Sequence, residues 1–332
     1  MPMAPLRIGI LGAAKIAPNA LIKPARTVDD VEVVAIAARD RAKAEQFARK
    51  HGIGRVHDSY DGLLADPDID AVYNPLPNGL HGKWTISALE AGKHVLCEKP
   101  FTANADEAVE VQHVERRTGL VVMEAFHYRY HPLADRLIEI TQDGTLGEIE
   151  HIHAWMVTPL LPRNDIRWQL SLAGGSTMDV GCYTIHLVRS LAGAEPDVTK
   201  ASARERSPGV DRWLQADMTL PDGSTGRITA SMLSGRILRL GAEVKGTKGR
   251  LRVLNPYAPH YFHRLSVRTT SGKQKQPHFP RVASYEYQLR AFAGAVLRGE
   301  SIITNTDDAI ANMRVIDACY RAAGLEPRQP TA

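Results

Sequence analysis

Leu6-Arg7-Ile8-Gly9-Ile10-Leu11-Gly12-Ala13-Ala14-Lys15-Ile16-Ala17 decides the fold. A short apolar run ends on a glycine and passes at once into small residues with helical spacing. That reads as a strand, a tight turn and a helix. The dinucleotide-binding fingerprint asks for glycine at the first, third and sixth turn positions, which here hold Gly12, Ala14 and Ala17. Gly12 makes the turn, and alanine is the smallest side chain that still lets backbone amides approach a pyrophosphate at a helix N-terminus. Alone, the degraded fingerprint also fits a plain strand-to-helix turn of any α/β domain.

The residues that follow strengthen the dinucleotide reading. Val31 to Ala37 is a second strand, ending where the fingerprint expects a ribose-binding acid. The chain offers Ala38-Arg39-Asp40 instead. An arginine there suits the 2′-phosphate of NADP through a bidentate or stacked guanidinium, so NADP is favoured, with NAD as the alternative. Asp40 is the expected cap of a helix from Arg41 to Lys50. Asp70 to Asn74 is a strand entering the loop Pro75-Leu76-Pro77-Asn78-Gly79-Leu80-His81, and a helix then runs to Gly92. Lys93 to Cys97 is a strand that delivers Glu98-Lys99-Pro100. Asn104 to Thr118 is helical, and Leu120 to Ala125 is a buried strand ending in Phe126-His127-Tyr128-Arg129. Strands alternating with helices through short connections mean a doubly wound parallel sheet. Chemistry in such a sheet collects at the carboxyl ends of the strands, which singles out Lys99. A tight turn at an active site also raises the odds of a cis Lys99-Pro100 bond.

From about Gly147 the pattern changes to period-two alternation. Glu148 to Thr158, Thr199 to Arg206, Arg212 to Leu220, Thr225 to Leu233, Arg239 to Gly246 and Gly249 to Leu254 read as strands. Pro221-Asp222-Gly223 and Gly246-Thr247-Lys248-Gly249 are turns between them. The expectation is a C-terminal α+β domain with a large, mostly antiparallel open sheet, one face covering the site and the other solvated or paired with a partner. Tyr285 to Arg298 and Thr306 to Ala323 are closing helices that pack back between the domains. The expected division is 1–125 for dinucleotide binding and 126–332 for substrate binding and dimerisation.

Composition excludes several classes. The 332 residues suggest about two domains. The formal charge of +4 comes from 41 basic and 37 acidic residues, spread along the chain without the Lys/Arg runs a nucleic acid needs. Cys97, Cys182 and Cys319 are far apart and show no CxxC spacing, against a disulfide framework or zinc site. Met1-Pro2-Met3-Ala4-Pro5 does not look like a signal peptide, and no stretch approaches the roughly 18 apolar residues of a membrane span. A reduced, cytoplasmic location is expected. His127 with His131, and His151 with His153, have metal-compatible spacing. Neither pair has an acidic or cysteine partner at ligand spacing, so they read as structural and no metal is expected.

Gly12-x-Ala14-x-x-Ala17, the Asn74-Pro75 loop with His81, Glu98-Lys99-Pro100, Met123-Glu124-Ala125-Phe126 and Tyr128-Arg129 together resemble the glucose–fructose oxidoreductase/inositol dehydrogenase family, over essentially the whole chain. The resemblance implies a Rossmann domain with Gly12, Ala13, Ala14, Lys15, Ile16, Arg39, Asn74, Pro75, Leu76, Asn78, His81, Glu98, Lys99, Arg167 and Trp168 at the cofactor. It places Lys99 against nicotinamide and substrate, and implies a homodimer or dimer of dimers formed through the C-terminal sheet. The family's second block is glycine-rich, then Asp-x-Gly-x, then histidine. Here Gly174-Gly175-Ser176-Thr177-Met178-Asp179-Val180-Gly181-Cys182-Tyr183 carries tyrosine at that last position. This resembles the branch with dimeric dihydrodiol dehydrogenase and NADP-linked xylose dehydrogenase, where tyrosine is the proposed acid/base. His186, one helical turn beyond, is a weaker substitute.

Hydride transfer between nicotinamide and a carbonyl carbon leaves an oxygen that must gain or lose a proton. Free tyrosine has a pKa near 10 and needs a cation to act at neutral pH. The expectation is therefore Tyr183 as acid/base, Lys99 as the cation that lowers its pKa and polarises the carbonyl, and Asp179 in support. Capping a helix from Val180 is the competing role for Asp179, and a core position that for Tyr183. Glu98 orients backbone or cofactor. Arg129, Arg163, Asn164, Asp165, Arg167 and Trp168 are polar candidates for the substrate crevice, with Trp168 as a sugar platform or a buried loop residue. The expected substrate is a sugar or sugar-like polyol. Alternatives are a trans-dihydrodiol, an inositol or a nucleotide-linked keto-sugar, and, outside enzymes, a non-catalytic NAD(P) sensor.

Overall fold

A computed structural model of the chain describes residues 4–159, 162, 164–233 and 238–331, so Arg163 lies outside the described residues. The strands are β1 (Leu6–Leu11), β2 (Val31–Ala37), β3 (Arg55–His57), β4 (Ala71–Asn74), β5 (His94–Cys97), β6 (Val122–Glu124), β7 (Ile149–Val157), β8 (Asp197–Ser207), β9 (Val210–Thr219), β10 (Thr225–Ser231), β11 (Arg239–Gly246), β12 (Gly249–Leu254), β13 (Arg264–Thr269) and β14 (Gly272–Gln274). The helices are α1 (Lys23–Ala25), α2 (Arg41–His51), α3 (Tyr60–Leu64), α4 (His81–Glu90), α5 (Ala105–Thr118), α6 (Pro132–Gln142), α7 (Cys182–Ala192), α8 (Ser284–Arg298) and α9 (Thr306–Ala322).

The chain divides into two compact units: Met1–His127 with Tyr285–Ile310, and Tyr128–Ser284 with Ala311–Ala332. Among the described residues the first unit holds a six-stranded sheet in the order β3-β2-β1-β4-β5-β6, parallel throughout. Its strands are buried on both faces (Ile8, Ile10, Ile36, Val72, Tyr73, Val95 and Leu96 are all inaccessible), which is why they read as continuous apolar runs. Sequence order reverses beside β1, between β1 and β4, the switch point at which such sheets open a crevice.

One expected detail differs. The helical spacing that follows Gly12 does not become helix until after Ile16. Residues 12–16 are turn, and a π-type turn over Pro18–Ile22 leads into α1. Pro18 sits at the first helical position, where its missing N–H costs nothing and its fixed φ starts the coil. Asp40 caps α2 as expected, accepting from the Lys43 amide at 3.1 Å.

The second unit holds an eight-stranded sheet in the order β14-β13-β12-β11-β7-β10-β9-β8, antiparallel except for β7 with β10. Helix α7 packs on β7 and β10. Away from the core, Arg239, Arg250, Arg252, Arg264 and Arg268 line a groove of about 600 Å³ with Trp155. The indole lies against Gly241, where a Cβ would stand 2.8 Å from the ring. Charges that look evenly mixed along the chain are thus gathered by strand alternation onto one part of this sheet. No helix among the described residues is long and apolar enough to cross a membrane.

Candidate active site

In the first unit the loop after β1 forms an anion cradle. Gly12 has φ +90° and donates to Ala37 O at 2.7 Å. A Cβ there would stand 3.1 Å from Leu76 and 3.6 Å from the Tyr60 hydroxyl. The amides of Ala13, Ala14, Lys15 and Ile16 donate to no protein group among the described residues. Successive unspent amides before a helix suit a pyrophosphate. Arg39 is exposed just past β2, with no carboxylate within ion-pair distance among the described residues, whereas neighbouring Arg41 is engaged by Glu45 and Asp58. The Tyr60 hydroxyl reaches the Arg39 amide, and the Tyr60 ring stands edge-on to Trp84 at 4.7 Å. These residues fit a phosphorylated dinucleotide. Tyr60 was not anticipated, because it comes from a separate strand–helix unit.

The loops after β4 and β5 are tied together. Glu98 N donates to Asn74 O at 3.0 Å, and Glu98 accepts from the Tyr73 hydroxyl at 2.6 Å. The buried His81 ring lies 2.7 Å from Pro100 O through Nδ1 and 2.7 Å from Leu76 O through Nε2. Burial pushes the His81 pKa down to about 4, the two carbonyls pulling it up and Lys99 pushing it down. Asn74 donates to His81 O at 3.1 Å and to Thr85 Oγ1 at 3.2 Å. Asn74 and His81, both expected at the cofactor, are buried, with their side chains bonded inside the loop. They shape the wall made by Pro75 and Leu76. Lys99 is half-buried on the resulting turn, and the Lys99-Pro100 bond is cis.

Beneath this turn α5 starts with a capping box that the sequence reading passed over. Asn104 accepts from the Glu107 amide at 3.0 Å, and Glu107 reaches back to the Ala103 amide at 2.7 Å. The Glu107 carboxyl rests on Gly82, where a Cβ would collide with it. Burial pushes Glu107 up to about 7, against the Ala103 amide and with help from Glu110.

In the second unit the glycine block runs into a π-type turn, Thr177–Gly181, continuous with α7. Asp179 lies inside this turn and caps no helix. Its Oδ1 accepts from Arg167 Nε at 3.0 Å, and Arg167 is gripped on the other side by Asp165 at 3.2 Å. The neighbouring carboxylates, Asp179 first, raise the Arg167 pKa. Asp179 is therefore held by an arginine from its own unit, a partnership the sequence reading missed. Trp168 packs with Val180, Val210, Ala230 and Met232, with Arg206 stacked at 4.6 Å. Its indole is core. Tyr183, one turn after Asp179, is 7% exposed between the rings of Tyr128 at 6.0 Å and Tyr257 at 5.9 Å. The Tyr128 hydroxyl meets His186 Nδ1 at 2.5 Å, one turn beyond Tyr183. Arg129 pairs with Asp135 at 2.8 Å, and Asn164 is exposed. His131 caps α6 through the Leu133 amide, and His151 and His153 each meet a threonine of β10.

Two family profiles match the chain: an oxidoreductase family with an NAD-binding Rossmann fold over residues 6–126, and the Gfo/Idh/MocA C-terminal domain over 135–252. The chain belongs to the Gfo/Idh/MocA family. It is an NAD(P)-dependent oxidoreductase. A D-xylose 1-dehydrogenase (NADP(+)) of Haloferax volcanii is 38% identical over 322 residues, covering 96% of this chain and 97% of that one. The trans-1,2-dihydrobenzene-1,2-diol dehydrogenase of Sus scrofa is 35% identical over 228 residues, covering 68% and 67%. The crystal structure of a 3-ketoreductase from Actinomadura kijaniata with NADP and TDP-benzene superposes with a TM-score of 0.89 at 32% identity, covering 96% and 98%. A lysine variant and a tyrosine variant of that ketoreductase have been solved with the same two ligands. The two positions stand as far apart along that Gfo/Idh/MocA chain as Lys99 and Tyr183 do along this one.

Proposed function

We propose that the protein is an NADP-linked dehydrogenase of sugars, moving hydride between the nicotinamide and a carbonyl or secondary alcohol of an aldose such as D-xylose. The observation that carries this reading is the buried Tyr183 one turn after an aspartate already charge-balanced by Arg167. Tyr183 donates or accepts the proton, Lys99 is the cation that lowers its pKa, and Asp179 orients lysine or a substrate hydroxyl. The bound dinucleotide supplies the hydride chemistry, held by the amides of residues 13–16. The xylose dehydrogenase relative and the matched lysine–tyrosine separation support the assignment. Two copies associating through the second sheet complete the reading.

The test is NADPH formation with NADP⁺ and a panel of D-xylose, other aldoses, inositol and a trans-dihydrodiol, with the reverse reaction on a nucleotide-linked keto-sugar. No turnover on any of them sinks the proposal. Arg39 carries the cofactor choice. Arg39→Ala weakens NADPH binding about 10- to 100-fold, the worth of a lost charge-assisted contact, and leaves NADH binding nearly unchanged. Cofactor fluorescence titrations check this, and a wild type preferring NADH defeats it.

A further inference from the structure

The second unit contains a buried ion pair that the chemistry above does not use. Asp211 of β9 and Arg328, from the segment after α9, are 0% and 1% exposed and pair at 2.9 Å. Asp211 Oδ2 accepts from the Ser176 hydroxyl (2.7 Å), the Thr177 amide (2.8 Å) and the Thr177 hydroxyl (2.7 Å). Its Oδ1 accepts from the Tyr320 hydroxyl at 3.0 Å as well as from Arg328. Arg328 Nε donates to Gly174 O at 2.7 Å, and the guanidinium lies 4.0 Å above the Tyr320 ring. Thr331 adds a bond to Ser171 O at 2.7 Å.

Every one of these loop partners falls in residues 171–177, between Arg167 on one side and Asp179 with Tyr183 on the other. Gly175 is the pivot. With φ +135° it passes so close that a Cβ would strike Asp211 and stand 2.8 Å from Arg328 Nη2. Its amide donates to Arg167 O at 2.9 Å, and its carbonyl accepts from the Asp179 amide at 3.1 Å. Buried ion pairs are often no better for stability than apolar groups of the same volume. What a planar guanidinium adds is direction, two bonds at a set angle to a carbonyl and a carboxylate.

We propose that Arg328 and Asp211 are positioning residues that set the register between Arg167 and Asp179, and through it the placement of Tyr183. The inference rests on the roles proposed above for Asp179 and Tyr183. Arg328→Ala and Arg328→Lys are compared in the full chain, with and without tens of millimolar guanidinium. The readouts are hydrogen-exchange mass spectrometry over residues 167–183 and D-xylose oxidation with NADP⁺. In Arg328→Ala the 167–183 amides exchange faster while the rest of the second unit keeps its protection. Turnover number falls about 10- to 100-fold, as expected for a small misplacement of reacting groups, and KM for NADP⁺ holds. Guanidinium restores both readouts, equal sodium chloride restores neither, and Arg328→Lys is intermediate. Unchanged exchange at 167–183 overturns the proposal, as does loosening of the whole unit that guanidinium does not reverse. Exchange that responds while turnover stays at the wild-type level also overturns it. A wild type inactive on D-xylose defeats the substrate assignment alone, and the exchange arm still decides the positioning role.

Discussion

Tyr183→Phe lowers the turnover number about 10²- to 10⁴-fold, the usual worth of a positioned acid/base, with NADPH affinity unchanged. The substitution removes one oxygen from a ring packed between Tyr128 and Tyr257, so the aromatic contacts survive and the loss is chemical. Lys99→Met has a second signature. In the proposed pairing the cation favours the phenolate, and its loss favours the neutral phenol. The rate in the oxidative direction, which needs the phenolate, then rises only at higher pH. Steady-state rates across pH under saturating NADP⁺ show this as an ascending limb displaced to higher pH. Near wild-type turnover in either variant on the true substrate removes that residue from the mechanism. A Lys99→Met profile that is merely scaled down, with no displacement, removes the electrostatic role and leaves only substrate binding.

Local features of this chain were readable because local physics decides them. The parallel sheet follows from apolar runs separated by helices, and the Asp40 cap from a short polar side chain before a helical run. Partners distant in sequence left no such mark. Arg167 reaches Asp179 only because a short loop folds back on the glycine block, and Arg328 meets Asp211 across much of the chain. Two signals were present and passed over: Asn104-x-x-Glu107 is a capping box, and His131-Pro132 opens α6 with proline at its first position. β13 and β14 were hard to read because they lie at the sheet edge, β14 wholly exposed, so burial left little pattern in them. The arginine groove is a different case. Period-two alternation was visible in the strands that carry Arg239, Arg250 and Arg252, but Arg264 and Arg268 stand on β13, and the gathering of five guanidinium groups needs the strand order.

Glu107→Gln stabilises the protein above pH 7 by about 3 kcal/mol, and the gain vanishes toward pH 4.5. The carboxyl is held at about 7 in the fold, against an ordinary 4.5. Between those values the native state keeps a proton that the unfolded chain has lost. Stability therefore falls as pH rises through this window, and the loss is complete above 7. A shift of this size converts to about 3 kcal/mol. Glutamine carries no ionisation penalty and still offers an oxygen to the Ala103 amide. His81 acts in the opposite sense. Held at about 4, it stays neutral while the unfolded ring protonates below 6.5, so its effect is lost stability as pH falls toward 4. The two opposing slopes flatten the wild-type profile, and only the difference between wild type and Glu107→Gln isolates the carboxyl. Urea unfolding at pH 5 and pH 8 measures it. An equal difference at both pH values means that Glu107 ionises normally. In that case the turn bearing Lys99 is braced by a charged carboxylate at Ala103 instead of a neutral acid.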